Sequence, residues 1–295
     1  MADNRRMIMK QAPEVPAVKI DHLSFSYDSR GGGASALEDI SLSIADNEFT
    51  AIIGQNGAGK TTLLKNLTGL LRPRTGDIFI RGKNARDMSV SAISAEIGFV
   101  MQNPDRQLFA DTVYDEAAFA LRNRGLSEAE IKPRVEAALD AVGLAEERGS
   151  FPIALGRGER AKVVIASVLA MGSKILIFDE PAAGQDFRNS RRIMDILREL
   201  HGGGYTVIFV THIMYLAAEY ARRVIVMKEK RPVMDGTAAD IFSRPGELAA
   251  AGILPPQITR LGRELRAEIP LQKDPLSAAE LGDMLLTLKR GGSGA

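Results

Sequence analysis

The sequence predicts an α/β fold: a mostly parallel sheet covered by helices on both faces, a flanking antiparallel β-sheet, an inserted α-helical subdomain and a short helical C-terminal extension. Three observations predict it. The stretch Thr50 to Leu64, TAIIGQNGAGKTTLL, reads as a short apolar strand, a glycine-rich turn and the start of a helix. Two continuous apolar runs, KILIFD from Lys174 and TVIFV from Thr206, have the pattern of parallel strands buried on both faces. Strands of this kind alternate with helical patterns along the chain, which implies crossovers and a parallel sheet.

In order, Met1 to about Pro16 is polar and interrupted by proline, and is expected to be a disordered tail. Val18 to Tyr27, VKIDHLSFSY, alternates apolar and polar residues like a half-buried strand. Asp28 to Ser35 is a glycine-rich turn. Leu37 to Ile44 alternates again, so the two strands are expected to form an antiparallel hairpin. The glycine-rich turn after Thr50 leads into a helix reaching about Leu70. Gly76 to Ile80 and Ile97 to Met101 read as further strands. A charged, helix-rich region spans about Asp111 to Gly143; Ser127 and Glu130 have the spacing of a capping box, and Pro133 leaves the helix start open. Glu159 to Met171 is helical, as is Asn189 to His201, which three glycines from Gly202 stop. Val224 to Asp235 reads as a terminal hairpin.

The expected organisation is a core over residues 17–243 with the helical subdomain at about 103–171, followed by an extension over 244–295. In that extension Pro255-Pro256 precede a helix with Ile258, Leu261 and Leu265 on one face. Ser277 and Glu280 have capping-box spacing before a second helix carrying Leu281, Met284, Leu285 and Leu288. Packing on the core and docking of a partner are both open for this stripe.

Composition narrows the function classes. The 295 residues carry a formal net charge of +1, so nothing points to bulk electrostatic binding of nucleic acid or an anionic membrane surface. There is no cysteine, hence no disulfide and no thiolate metal site. No apolar run reaches the about 18 residues of a membrane span. Arg5-Arg6 lacks a following apolar segment and reads as part of a polar tail. Work at a membrane would require a partner that spans it.

Gly54, Gly59, Lys60 and Thr61 fit G-x-x-x-x-G-K-[ST], the phosphate-binding loop or P-loop. Glycines at 54, 57 and 59 let successive N–H groups turn inward around a polyphosphate, and the following helix adds the positive end of its dipole. Gln55, Asn56, Ala58 and Thr62 complete the cradle. Lys60 suits the β- and γ-phosphates, and the Thr61 hydroxyl suits magnesium. Asp179-Glu180 ends an apolar strand, where α/β sheets present functional side chains. Asp179 suits Mg²⁺, and Glu180 suits the general base that activates water. The expected ligands are therefore ATP and Mg²⁺.

At this point the chain resembles the nucleotide-binding subunit of an ATP-binding cassette (ABC) transporter, a P-loop NTPase, over about Val18 to Phe242. The resemblance implies that Tyr27 stacks on adenine, that Gln102 is the Q-loop glutamine touching Mg²⁺ or water, and that His212 contacts the γ-phosphate. Ala183-Gly184-Gln185-Asp186 resembles the D-loop, with Gln185 where an apolar residue is usual. The signature turn, normally Leu-Ser-Gly-Gly-Gln, appears as Leu155-Gly156-Arg157-Gly158-Glu159. The family's turn caps the γ-phosphate bound by the opposite subunit. Here the serine hydroxyl is absent, Arg157 is strained if its position needs φ > 0, and its guanidinium could instead meet phosphate. A heterodimer with a second ABC ATPase subunit carrying a standard signature is favoured over a homodimer.

Gly98 to Phe119, GFVMQNPDRQLFADTVYDEAAF, and the tail ILPPQITRLGREL are similar to the ATPases of energy-coupling factor (ECF) importers of vitamins or of ions such as cobalt and nickel. The resemblance implies a transmembrane scaffold subunit docking along Asp105 to Phe109, a separate substrate-binding membrane subunit, no nucleic acid, and a peripheral location on the cytoplasmic face of the cell membrane. Gln107 and Phe109 could equally serve capping and packing. The alternative is a soluble ABC ATPase acting on nucleic acid or ribosomes, which generally carries two cassettes or a long coiled-coil insertion. A kinase would not need Gln102, His212 and the Leu155 turn in that order.

Overall fold

The computed structural model describes residues 15–28 and 34–291. The expected tail before residue 15 and most of the glycine-rich turn, residues 29–33, lie outside them.

The alternating strands β1 (Val18–Ser26) and β2 (Ser35–Ile44) pair antiparallel, with Val18 opposite Ile44 and Ile20 opposite Leu42. β3 (Phe49–Gly54) is buried along its whole length and feeds α1 (Lys60–Leu67), three residues shorter than expected. β4 (Thr75–Ile80) pairs antiparallel with the other edge of β1, and the two-residue β5 (Lys83–Asn84) extends that sheet. α2 (Val90–Glu96), which has no strong sequence signal, is capped by Ser89 and delivers the chain to β6 (Ile97–Val100).

The helical subdomain is α3 (Val113–Asn123), α4 (Glu128–Ala141) and α5 (Arg157–Ala170). Thr112 caps α3, accepting from the Asp115 N–H at 3.0 Å. α4 starts at the capping box: the Glu130 carboxylate accepts from the Ser127 N–H at 2.9 Å, and Pro133 lies inside the helix rather than at its start. α5 begins two residues earlier than expected. The remaining elements are β7 (Ile175–Asp179), α6 (Phe187–Gly202), β8 (Thr206–Val210), α7 (Met214–Tyr220), β9 (Arg223–Lys228), β10 (Arg231–Thr237), α8 (Ala238–Phe242), α9 (Pro245–Ala250), α10 (Gln257–Leu265) and α11 (Ala278–Gly291).

The main sheet runs β10-β9-β3-β8-β7-β6; β9 through β6 are parallel, and only β10 is antiparallel. Its central strands β3, β7 and β8 are buried at every position and mostly apolar because both faces are covered, with Thr50, Asp179 and Thr206 as buried polar exceptions. Ile53, Phe178 and Phe209 face a core shared with α3 to α6, whereas Ile52, Ile177 and Ile208 face a second core shared with α1 and the antiparallel sheet. Strand register then positions the site. Ile52 and Asp179 both lie opposite Val210, so β7 and β8 end level and β3 two residues beyond, releasing the P-loop, Glu180 and His212 along one edge.

In the extension, Leu281 of the α11 stripe is buried and Met284, Leu285 and Leu288 are half-buried, whereas α10 is not packed on its stripe. α10 buries Thr259 and Gly262, which lie against Pro275; the Thr259 hydroxyl donates to the Pro275 carbonyl at 2.7 Å. Ile258 and Leu265 are only half-buried and Leu261 is 45% exposed, so the apolar stripe is not the packed face. Ser277 caps α11, but the Glu280 carboxylate reaches back to the Leu276 N–H rather than to Ser277. Among the described residues no helix is long and apolar enough to cross a membrane.

Candidate active site

The P-loop turns between β3 and α1. Its tightness explains its glycines: a side chain at Gly54 would place Cβ 2.3 Å from the Met227 carbonyl oxygen, and one at Gly59, whose φ is +99°, would place it 2.8 Å from that of Ala36. Within the turn the Ala58 N–H donates to the Gln55 carbonyl. The Lys60 ammonium is buried and donates to the carbonyls of Gly54 at 2.7 Å and Gln55 at 2.9 Å. Burial pulls the Lys60 pKa down, and the nearby charges of Glu180 and Asp179 oppose the shift.

Asp179, 4% exposed at the end of β7, has its carboxyl pushed above the usual range by burial. The Thr61 hydroxyl donates to it, and Lys60 adds a favourable charge. Glu180 follows in a left-handed conformation, φ +51°, with its N–H donating to the Val210 carbonyl at 3.0 Å. Left-handed backbone costs a non-glycine residue free energy and turns the carboxylate out of the sheet. The Gln102 amide donates to Glu180 Oε2 at 2.9 Å, and His212 Nδ1 lies 3.0 Å from the same oxygen. Three residues separated widely in sequence thus meet at one atom.

Two cavities adjoin this cluster. One, of about 780 Å³, is lined by Gly54, Gln55, Asn56, Gln102, Glu180, His212 and residues 252–254. The other, of about 560 Å³, is lined by Tyr27, Asn56, Gly57, Gly59, Lys60, Thr61, Thr62 and Lys230. The Tyr27 hydroxyl lies 3.1 Å from the Thr62 hydroxyl, and its ring, 62% exposed, stands edge-on to Phe25. Ala58 is buried beneath the turn. Sequence reasoning missed Ser35, Ala36, Met214, Lys230 and the 252–254 segment, which also line these cavities. Lys230 sits at the β9–β10 tip, where Glu229 and Lys230 take positive φ without a glycine to announce the turn.

The signature and D-loop residues are not brought to these cavities. Gly156, with φ −60°, precedes α5, and the Glu159 carboxylate accepts from its N–H at 3.0 Å; this is one half of a capping box, whose other half, an N-cap side chain accepting from the first-turn N–H groups, glycine cannot supply. Arg157 is the first residue of the helix, so the strain expected for a position needing φ > 0 does not arise. Its guanidinium lies against Gly184: a Cβ there would be 2.5 Å from Arg157 Nη1. Gly158 lies near the Gln185 and Asn189 side chains. Asp186 caps α6, accepting from the Asn189 N–H at 2.8 Å.

In the segment after Gln102, Asp105 pairs with Arg160 of α5 at 2.9 Å. The Gln107 amide closes the loop onto Met101 N–H and the Phe99 carbonyl. Phe109 is exposed and stands edge-on to Phe119, beside a groove of about 330 Å³ between the subdomain and the core.

The arrangement can hold a nucleoside polyphosphate along the P-loop and activate water at Glu180. Magnesium fits the donor set: Thr61 and Asp179 are already in contact, Gln102 is adjacent, and phosphate oxygens and water usually supply the remaining ligands.

The "ABC transporter" family model matches residues 37–183, and a model of an AAA domain matches residues 154–218. The chain is 40% identical to the energy-coupling factor transporter ATP-binding protein EcfA2 of Caldanaerobacter subterraneus, covering 93% of this chain and 98% of that protein. It is 44% identical over 85% of its length to a protein of Methanosarcina acetivorans named for ABC transporter ATP binding, but spans only 40% of that longer relative. Among solved structures, cbiO1 of Clostridium perfringens, described as part of the ABC transporter complex cbiONQ, superposes with a TM-score of 0.74 at 34% identity, covering 87% of this chain and 97% of that one. The dimeric cassette MJ0796 bound to ADP and Pi gives a TM-score of 0.67 at 26% identity, covering 75% and 98%. The chain therefore belongs to the ABC transporter family of ATP-binding proteins and is similar over nearly its whole length to the ATP-binding proteins of energy-coupling factor transporters.

Proposed function

We propose that this chain is the ATP-hydrolysing subunit of an energy-coupling factor type ABC importer, driving uptake of a vitamin or a transition-metal ion through membrane partner subunits. The observation that carries the reading is the convergence of Gln102 and His212 on one oxygen of Glu180, beside the Lys60 turn. Glu180 is the general base that takes a proton from the attacking water. Gln102 and His212 orient its carboxylate and contact the γ-phosphate side of the site. Gly54 through Thr62 cradle the phosphates, Lys60 neutralises the β- and γ-oxygens, and the exposed Tyr27 ring stacks on adenine. Thr61, Gln102 and Asp179 would hold Mg²⁺, which when bound supplies positive charge at the phosphate oxygens.

Gly156, Arg157, Gly158 and Asp186 act on the nucleotide of a facing subunit; their distance from this chain's own cavities and the similarity to a dimeric cassette support that reading. The altered signature favours a heterodimer in which one composite site is weak. Binding energy closes the pair and hydrolysis reopens it. The motion passes to a transmembrane scaffold subunit in the groove flanked by Phe119 and the exposed Phe109, while a separate membrane subunit binds the substrate. The chain then sits peripherally on the cytoplasmic face of the cell membrane.

Steady-state ATPase assays on the purified chain, alone and mixed with a second ECF-type ATPase chain, test the proposal. Slow turnover alone and restored turnover in the mixture support it; vigorous cooperative hydrolysis alone overturns the heterodimer. Absence of any adenine-nucleotide binding overturns the whole reading. Co-purification from membranes identifies the scaffold and substrate-binding subunits.

A further inference from the structure

α9 ends on a left-handed glycine. Gly252, with φ +69°, donates its N–H to the Ala249 carbonyl at 2.9 Å, and the next N–H, of Ile253, reaches the Leu248 carbonyl at 2.8 Å. The Gly252 carbonyl accepts from Nε2 of Gln55 at 3.3 Å, across 197 positions of sequence. A Cβ at Gly252 would stand 1.9 Å from that Nε2 and 2.4 Å from Cδ. Glycine is thus favoured at 252 by the backbone angle, and a side chain there would displace the amide end of Gln55 from its contact.

Gln55 is fastened at both ends. Its own carbonyl accepts from the Lys60 ammonium and the Ala58 N–H inside the P-loop, while its side chain is held by the start of the C-terminal extension. Phosphate oxygens compete with the Gln55 carbonyl for the same ammonium, so nucleotide binding acts on one end of this residue directly. The other end leads into a stiff connection: Ile253 is buried in the main core, and Pro255-Pro256 restrict the backbone up to α10.

We propose that Gly252 is a positioning residue for the phosphate-binding turn, and that the Gln55–Gly252 contact couples nucleotide occupancy to the α10–α11 extension. The inference rests on the ATP-binding reading above. Coupling of this kind is reciprocal: if ATP changes the extension, disturbing the contact changes ATP affinity by the same factor.

The test uses the full chain and Gly252→Ala, Gln55→Ala and the double variant, with calorimetric titration of Mg–ATP and hydrogen exchange over residues 257–291. Gly252→Ala should weaken ATP binding about fivefold or more. Added to Gln55→Ala, it should cost no further affinity, because its target is gone. Backbone strain at 252 lowers the melting temperature in both backgrounds alike and is read separately. In the parent, ATP should alter exchange in 257–291, and Gln55→Ala, which leaves the extension's backbone intact, should blunt that response even if Gly252→Ala does not fold. Unchanged affinity in Gly252→Ala, additive losses, or protection of the P-loop with a silent extension overturns the inference alone. A parent chain that binds no ATP overturns the ATP-binding reading and this coupling with it.

Discussion

At Glu180 a carboxylate is held out from a strained backbone by one amide and one imidazole, while the adjacent Asp179 is buried and bonded to Thr61. Neighbours in sequence, both largely covered, therefore have different partners and suit different tasks. Replacing Glu180 by Gln keeps the size and the partners but removes the base. Phosphate release should fall by about a hundredfold or more, the usual scale of general-base loss. ATP binding by calorimetry should persist, and normal turnover in the variant would exclude Glu180 as the base. Lys60→Ala should instead lose binding itself, because it removes a buried cation that donates to the turn.

At the level of elements, the helical subdomain meets the sheet where β6 has no side chain: a Cβ at Gly98 would lie 2.0 Å from Cγ1 of Val168 on α5. Gly98→Ala should destabilise the fold by about 1–3 kcal/mol, the cost of overpacking, as measured by urea denaturation. The start of α3 gives a prediction in pH. The Thr112 hydroxyl, and after it Arg122, hold the Asp115 carboxyl below the usual carboxylate range. Its folded pKa lies below its unfolded one, so its stabilisation is complete above the unfolded value and is lost as pH falls through the folded value. Asp115→Asn should melt lower than the parent at neutral pH and converge with it in strong acid. A gap that persisted in acid would mean that the carboxylate charge is not the source.

For the whole molecule, the proposed pairing makes this site one half of a composite. The P-loop cluster and the signature turn lie on the same chain without meeting, and the signature carries Arg157 and Gly156 where the family has glycine and serine. Cross-linking or light scattering with Mg–ATP and Glu180→Gln should register a more stable pair with a partner bearing a standard signature than with a second copy. Equal stability of the two pairs would mean that the altered turn does not select its partner.

Local chemistry made much of this legible. The P-loop glycines, the apolar strands and the capping box at Ser127 act through neighbours a few residues away, so their spacing alone predicts them, whereas Gln102 and His212 were singled out by the family resemblance. Spacing could not decide what lies far along the chain but close in space. That α10 covers Thr259 and Gly262 rather than its apolar stripe depends on where Pro275 packs. That Lys230 lines the cavity beside the P-loop depends on strand order, and that Gly252 meets the Gln55 side chain depends on where α9 packs. Short-range propensity and hydrophobic period fix elements; only the packing of those elements determines which distant surfaces share a contact.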